Sequence, residues 1–253
     1  MKVFTAAKTV SLILCLTAVS ALADDRPPPE IAILARAHAI MRLPEGMSRG
    51  RIKHLHPGGA SFTVDFKAMV SGDSSFFIFH SKERDEQLEA LYTLGGENIQ
   101  VHMTHSRRLV RKTGADKYEP VLYTNFSYID FSGYRLADNY TCELSGEEDV
   151  NGRPCDKLEL KPVSAESMYG RLTLYAAKEN SLPLRIEFRD KNFVFIKVLT
   201  IARAAQKGDT IIPLRYEMRD VRSGDVSILV FNSFNEKIPP SERDIFSPDS
   251  MGK

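Results

Sequence analysis

Strict alternation between apolar and polar residues is the feature that most constrains the fold of this chain. Between residues 61 and 70, an apolar side chain stands at every second position, and most of the residues in between are polar. These apolar residues are Phe62, Val64, Phe66, Ala68 and Val70. Successive side chains of a strand point to opposite faces, so this pattern predicts a β-strand with one buried face.

Similar stretches continue along most of the chain, separated by turn sequences such as Ser71-Gly72-Asp73, Asn151-Gly152 and Ser223-Gly224-Asp225. We predict strands at residues 76–79, 99–103, 140–144, 158–160, 170–176, 184–188, 193–199, 212–218 and 226–230. About ten strands at this spacing predict a mostly β fold, built as one strongly curved antiparallel sheet or half-open barrel.

Residues 30–43 predict an amphipathic helix before the first strand. The run Pro27-Pro28-Pro29 precedes it, Glu30 suits the positive end of its dipole, and Pro44 with Gly46 ends it. Its apolar stripe consists of Ile33, Leu34, Ala37, Ile40 and Met41. We interpret it as a lid over the open side of the curved sheet. Residues 82–94 predict a second, short helix outside the sheet.

The N-terminal residues are typical of an export signal. Lys2 and Lys8 precede an apolar run over residues 10–22, which ends in Ala21-Leu22-Ala23. This order of basic, apolar and small residues predicts a signal peptide cleaved after Ala23, and the run is too short to span a bilayer. We therefore expect residues 1–23, with Cys15, to be removed, and residues 24–253 to form a single soluble periplasmic domain.

Two cysteines remain after this cleavage, Cys142 and Cys155. An oxidising compartment favours a disulfide between them. A two-residue turn at Asn151-Gly152 would instead place Cys155 opposite Glu148, with Cys142 several residues further along the ladder and too far away to bond. A wider loop would bring the thiols together, so both alternatives stay open at this point.

Composition and motifs argue against several classes of function. The formal net charge of +1 gives no support for nucleic-acid binding. The sequence contains no C-x-x-C or H-E-x-x-H motif, and we expect neither catalysis nor a cofactor. Gly72-Asp73-Ser74 matches the start of a lipase motif, but it lies between two predicted strands and not before a helix.

Two histidine pairs have a spacing that could serve a metal ion. They are His54 with His56, and His102 with His105. Neither pair has an acidic residue or a cysteine nearby at a familiar ligand spacing. We therefore expect surface histidines and no metal site.

The order of several short motifs resembles one known family. The stretch Tyr123-Thr124-Asn125-Phe126-Ser127-Tyr128-Ile129-Asp130-Phe131 is similar to the "(S/T)-D-F-S-Y-x-D-L" segment of the LolA-like outer-membrane lipoprotein-sorting proteins. Further similar segments follow in the family's order, including Val150-Asn151-Gly152-Arg153-Pro154-Cys155, Pro183-Leu184-Arg185-Ile186-Glu187 and Met218-Arg219-Asp220. Asn125 replaces the family's usual acidic residue, and the tryptophan common near residues 99–101 is missing.

The resemblance implies a half-open barrel whose concave face, covered by helices, holds acyl chains. It implies a monomeric periplasmic carrier or chaperone for a lipid or lipidated protein, working between an inner-membrane transporter and an outer-membrane acceptor. The alternative is an adaptor or sensor that binds a protein partner on the same face without lipid transport; a lipid hydrolase is a weaker third class.

On the carrier interpretation, the inward-facing apolar residues line a lipid cavity; as an alternative, they form an ordinary packed core. The candidate lining residues are Phe62, Val64, Phe66, Phe76, Ile78, Val101, Met103, Leu172, Leu174, Ile186, Phe188, Leu214 and Met218. The densest positive cluster consists of Arg107, Arg108, Arg111 and Lys112. It could contact phosphate headgroups or an acidic partner, or belong to a solvated loop.

Overall fold

A single antiparallel sheet of thirteen strands organises the protein. The computed structural model describes residues 27–132, 135–235 and 237–252, so the predicted signal peptide at residues 1–23, with Cys15, lies outside them. The strands are β1 (Gly46–Leu55), β2 (Ser61–Ser71), β3 (Ser74–Ser81), β4 (Glu86–Thr93), β5 (Asn98–Met103), β6 (Arg108–Lys112), β7 (Tyr140–Val150), β8 (Arg153–Pro162), β9 (Tyr169–Ala177), β10 (Pro183–Asp190), β11 (Phe195–Lys207), β12 (Thr210–Asp220) and β13 (Val226–Asn235).

Consecutive strands pair as two meanders, β1 to β6 and β7 to β13, and one further pairing, between β1 and β13, joins these halves of the sheet. The strand order is β6-β5-β4-β3-β2-β1-β13-β12-β11-β10-β9-β8-β7, which leaves β6 and β7 at the edges. The predicted mostly β class with a curved, half-open sheet is confirmed, with thirteen strands in place of about ten.

The predicted helix over residues 82–94 is wrong. Residues 82–85 form the turn after β3, and Asp85 has a positive φ of 51°. β4 follows and pairs with β3 on one side and β5 on the other. Its residues are good helix formers, but two strand partners satisfy its backbone groups and bury Leu88, Ala90 and Tyr92.

Two other strand predictions differ from the structure. β11 begins at Phe195 and not at residue 193, because Phe193 lies in the preceding turn with a φ of 61°. On β13 the alternation predicted for Val226, Ile228 and Val230 selects the wrong face. The structure buries Ser227, Leu229 and Phe231 instead.

The helix α1 (Pro29–Met41) matches the prediction within two residues and packs against one face of the sheet, here called the concave face. Pro29 stands in its first turn, where a missing N–H costs nothing. Ile33, Leu34, Ala37 and Met41 are buried, and Ile40 is partly buried. The helix contacts β7, β10 and β12.

The connection between β6 and β7, here called the crossing segment (residues 113–139), also lies over the concave face. It contains short 3-10 helices at Gly114–Tyr118 and Tyr128–Ser132, and the one-turn helix α2 (Leu136–Asn139), which contacts α1. On the opposite, convex face, the C-terminal 3-10 helices Pro240–Phe246 and Pro248–Ser250 cover a smaller cluster that includes Met69, Phe76 and Leu91.

The two cysteines carry free thiols. The hairpin places Cys155 opposite Glu148, as predicted for a two-residue turn, while Cys142 lies opposite Leu160. A bulge between Leu144 and Gly146 shifts the register of this hairpin by one residue on the side of Cys142. Burial raises the pKa of both thiols.

Within the described residues, the structure contains no helix with the length and apolar character needed to span a membrane.

Candidate ligand site under helix α1

The β2–β3 turn decides which side chains face α1. Ser71 lies opposite Ser74, which leaves Gly72 and Asp73 as a two-residue turn. Directly opposed residues in an antiparallel pair share one face of the sheet. Phe66 is opposite Phe79, so Phe77 and Phe79 belong to the concave face.

This register corrects two of the predicted lining residues. Phe76 lies in the cluster on the convex face, and Ile78 packs against that cluster. Both are therefore separated from the concave face by the sheet itself. Of the remaining candidates, Met103 is at the end of β5 and 42% exposed. Leu214 is partly buried and belongs neither to the core on the concave face nor to the cluster on the convex face.

The other nine candidates are buried together under the cover formed by α1 and the crossing segment. They are Phe62, Val64, Phe66, Val101, Leu172, Leu174, Ile186, Phe188 and Met218. Their side chains are packed against neighbours and do not line an open space. The packed-core interpretation therefore describes their arrangement in the structure.

A small cavity of about 40 Å³ lies where α1 and the crossing segment meet the sheet. Its lining residues are Met41, Leu43, Phe126, Asp130, Phe131, Leu199, Tyr216, Leu229 and Phe231. Sites for small ligands usually enclose about 300–1,000 Å³, so this space is far too small for an acyl chain. A ligand of that size requires the cover to move away from the sheet.

Of these lining residues, only Met41 is predicted from the sequence, and it is predicted as a lid residue. Phe126, Asp130 and Phe131 are in the segment that carries the family resemblance, so the motif marks the cover and not a strand. Leu229 was missed because β13 is apolar on both faces, and alternation alone cannot choose between them.

Aromatic contacts hold the crossing segment on the sheet. The ring of Phe131 lies 5.3 Å from that of Phe77, 4.9 Å from that of Phe79 and 5.8 Å from that of Phe126. The contacts with the two β3 rings are edge-to-face, the geometry that aromatic pairs favour.

Among the described residues, Asp130 is the one charged residue that lines this cavity, and it forms a buried ion pair with Lys197 behind the lining. The Lys197 ammonium donates to Asp130 Oδ2 over 2.7 Å, and the side chains are only 10% and 1% exposed, respectively. The backbone N–H of Ser127 donates to the same oxygen over 2.8 Å. The hydroxyl of Tyr169 lies 3.4 Å from Asp130 Oδ1, and burial raises the pKa of Tyr169, which keeps this donor protonated.

A more polar cavity of about 150 Å³ adjoins the apolar one, since Leu43 and Phe131 line both. It opens beside the C-terminal end of α1. Arg135 bridges its wall by donating to the backbone oxygen of Leu94 over 3.2 Å and to the Glu97 carboxylate over 2.8 Å. We call this second cavity the mouth.

Polar contacts also tie α1 to its surroundings. Arg36 Nε donates to Ser181 Oγ over 2.9 Å, and Arg42 lies 3.6 Å from the Asp73 carboxylate. His38 lines the mouth. Burial lowers the pKa of His38, nearby Arg42 and Arg135 lower it further, and Asp138 opposes them.

The predicted positive cluster is split in the structure. Lys112 is buried, pairs with Glu119 at 2.5 Å and lies 4.9 Å from the ring of Tyr128. Arg107 is in the β5–β6 turn, while Arg108 and Arg111 are exposed on the edge strand β6. Charged side chains on an edge strand also discourage pairing with another sheet, which gives these arginines a structural role.

One of the histidine predictions is also wrong. His54 is not a surface residue: it is 2% exposed, and Asp225 lies beside it and His56. Burial lowers the pKa of His54. Asp225 keeps a lowered pKa because hydrogen bonds from Ser223 and His56 outweigh the opposing effect of burial.

Comparisons with known proteins agree with this architecture. A family model with the description "Uncharacterized protein" matches residues 71–253. The chain belongs to this family. No curated protein matches its sequence.

Solved structures match over most of their length. A DUF1329 family protein from Desulfovibrio piger has a TM-score of 0.72 and 17% identity, covering 87% of this chain and 96% of its own. A putative outer membrane lipoprotein-sorting protein domain from Vibrio parahaemolyticus has a TM-score of 0.71 and 18% identity, covering 85% and 96%. A LolA superfamily protein from Nitrosomonas europaea has a TM-score of 0.70 and 20% identity, covering 86% and 97%. The LolA-like fold implied by the sequence is thus confirmed.

Proposed function

We propose that this protein is a periplasmic carrier that binds the acyl chains of a lipid or lipidated protein between its cover and its concave face. An inner-membrane transporter would load it, and an outer-membrane acceptor would receive the cargo. Export of residues 24–253 as a soluble monomer after cleavage at Ala23 is part of this proposal. The LolA-like fold and the architecture of the cover support it.

The position of the apolar cavity carries the proposal. It lies at the contact between the cover and the sheet, and not inside the sheet's own packing. Outward movement of α1 would therefore enlarge this space without disturbing the strand pairing. The surfaces exposed by that movement are the buried apolar stripe of α1 and the side chains of Tyr216 and Leu229.

The energetics of such binding are favourable. Burial of a CH₂ group contributes about 0.8 kcal/mol, so an acyl chain of about sixteen carbons gains roughly 12 kcal/mol. Ordering of the chain and displacement of α1 reduce this gain. No catalytic group is needed for the exchange.

A fluorescent fatty acid tests the site directly. Leu43 lines both the cavity and the mouth but is only partly buried, so Leu43→Asp should keep the fold by circular dichroism. The new carboxylate would be buried against the acyl chain, and we expect the probe's affinity to fall at least about tenfold. Val163→Asp is the matched control, because Val163 is 67% exposed in a loop away from both cavities.

Hydrogen exchange tests the role of α1. Amides of residues 33–41 should exchange faster than those of residues 62–70, because the helix packs on the sheet through one face only. Bound fatty acid should slow exchange in the helix more than in the strand. Equal protection of both segments, unchanged by lipid, would show that α1 is a fixed part of a closed core.

The adaptor alternative predicts a different result. Under it, organic extracts of gently purified protein contain no stoichiometric lipid by mass spectrometry. The fatty-acid probe then binds wild type and Leu43→Asp equally weakly. Intact-mass data showing residues 1–23 retained, or a lipid attached to Cys15, would reject the soluble-carrier part of the proposal.

A further inference from the structure

The second feature that could bind a ligand lies at the opposite end of β2 from the mouth. There the β1–β2 turn, which begins with His56, lies beside the β12–β13 turn, which ends with Asp225. Pro57 of the first turn packs near Gly224 of the second: a Cβ added to that glycine would lie 3.3 Å from the proline ring. These two turns flank the β1–β13 pairing, which joins the halves of the sheet.

We propose that His54, His56 and Asp225 bind a divalent transition-metal ion, with Zn²⁺ as the best-fitting ion. Their candidate ligand atoms all lie within 4.8 Å of one another. Among residues 27–132, 135–235 and 237–252, this is the one group of three such side chains that close together.

The distances suit a single ion. Zn²⁺ binds imidazole nitrogen and carboxylate oxygen at about 2.0–2.2 Å, so two ligand atoms in a tetrahedral site are about 3.4 Å apart. His56 Nδ1 lies 3.1 Å from Asp225 Oδ1, and His54 Nε2 lies 3.8 Å from Asp225 Oδ2.

Contacts of the kind that orient metal-binding imidazoles are also present. His54 Nδ1 lies 2.9 Å from the buried Ser227 Oγ. The backbone N–H of Asn125 donates to the same hydroxyl oxygen over 2.8 Å, and Asn125 Nδ2 donates to the Asp225 backbone oxygen over 2.8 Å. Metal-bound histidines usually use their second ring nitrogen in such a contact, which fixes the ring orientation.

Within the part of the chain that the structure describes, the other ring nitrogen of His54 has no hydrogen bond that would compete with a metal ion. Its distance of 3.8 Å from Asp225 is too long for one. With Nδ1–H donating to Ser227, the Nε2 lone pair and the Asp225 carboxylate face the same small space. The lone pair and the carboxylate repel each other, and a cation between them would attract both.

One neighbouring charge opposes the ion. The Arg84 guanidinium stacks on the ring of Phe62 at 4.5 Å, and that ring lies 4.8 Å from His54. Arg84 is exposed and also stacks on the ring of Tyr123, which lies outside the cluster, at 4.3 Å. Its removal should therefore strengthen metal binding, an effect that a nonspecific histidine site elsewhere would not show.

The test uses residues 24–253 without a polyhistidine tag, ZnCl₂ as the ligand and a chromophoric chelator as the competitor. Wild type should bind one Zn²⁺ per chain. Loss of one ligand in His56→Ala or Asp225→Asn should weaken binding at least about tenfold, and Ser227→Ala about 10- to 100-fold. Arg84→Gln should bind more tightly than wild type. His105→Ala, which removes an exposed histidine from another turn, should match wild type.

X-ray absorption at the zinc edge separates this site from the thiols. Two imidazoles with oxygen ligands and no sulfur are expected, because Cys142 and Cys155 lie elsewhere in the sheet. The proposal is overturned if wild type binds no Zn²⁺ stoichiometrically, if a sulfur ligand is found, or if folded His56→Ala and Asp225→Asn both bind like wild type. Leu43→Asp should leave Zn²⁺ binding unchanged, so the lipid proposal and this one fail independently.

Discussion

Replacement of Asp130 by asparagine tests how the cover is fixed to the sheet. Asp130 belongs to the crossing segment, and its partner Lys197 belongs to β11, so the pair joins cover and sheet directly. The Asp130→Asn substitution would keep the size of the side chain and one acceptor oxygen. It would remove the negative charge that offsets the Lys197 ammonium.

The expected cost follows from the burial of the two groups. The side chains are 10% and 1% exposed and meet at 2.7 Å, so the pair has little contact with water. Breaking one half of a buried pair leaves an uncompensated charge and typically costs about 3–5 kcal/mol. The rings of Tyr169 and Phe188, 5.0 and 4.9 Å from the ammonium, offset only part of this loss.

A double-mutant cycle separates the charge effect from the loss of packing. Lys197→Met removes the ammonium but keeps most of the apolar volume. The combined Asp130→Asn and Lys197→Met variant should be more stable than Asp130→Asn alone, because it contains no unpaired buried charge. Lys161→Met is a surface control: Lys161 pairs with Glu143 at 3.0 Å in an exposed site, and its loss should cost about 1 kcal/mol or less.

Urea unfolding followed by far-UV circular dichroism measures these differences, since the chain contains no tryptophan. The midpoint should fall while the slope m is unchanged, as expected for a loss of stability alone. Asp130→Asn within about 1 kcal/mol of wild type, or a double variant no more stable than the single one, would refute the assigned role of the pair.

Further outcomes follow from other contacts. Gly50→Ala should destabilise the protein strongly, because an added Cβ would lie 2.3 Å from the Phe66 ring and 2.4 Å from the Val230 backbone oxygen. Urea unfolding measures the loss, and Gly58→Ala is the control, because a Cβ added at Gly58 has no neighbouring atom within 4 Å. Leu229→Ala should cost about 2–5 kcal/mol and enlarge the cavity, so the fatty-acid probe should bind more tightly to the variant. Burial lowers the pKa of His38 below 6.5, so as the pH falls its imidazole is protonated in the unfolded chain before it is protonated in the folded protein. The free energy of unfolding should therefore decrease as the pH drops below about 6.5, and His38→Gln should reduce this dependence on pH.

The sequence predicted the sheet because alternation and turns are local signals. Most strand positions and α1 were found within a few residues. The errors on β3 and β13 have one cause: both strands are apolar on both faces, and their orientation is fixed only by pairing. The Gly72-Asp73 turn did contain the missing information for β3, since a two-residue turn places Phe66 opposite Phe79.

The crossing segment and the group of His54, His56 and Asp225 could not be predicted in the same way. The crossing segment has no sustained periodicity, and its place over the concave face depends on contacts such as Phe131 with Phe79. In the proposed metal site, His56 and Asp225 are 169 residues apart in sequence. They meet because β1 pairs with β13, a long-range contact that no local pattern specifies.

The contacts of the cover also indicate which part of it would open in the proposed carrier. The crossing segment is fixed by the buried ion pair of Asp130, by the rings around Phe131 and by the backbone contacts of Asn125. Lifting it would break this ion pair and the hydrogen bonds of Asn125, and it would expose the buried Phe126 and the ring contacts of Phe131 to water. α1 is held by one apolar stripe and by contacts of Arg36 and Arg42 that are partly or fully exposed to solvent. Exposed polar contacts are replaced by water at little cost. For the proposed carrier, we therefore expect α1 to move and the crossing segment to remain as the fixed wall against which the ligand would bind.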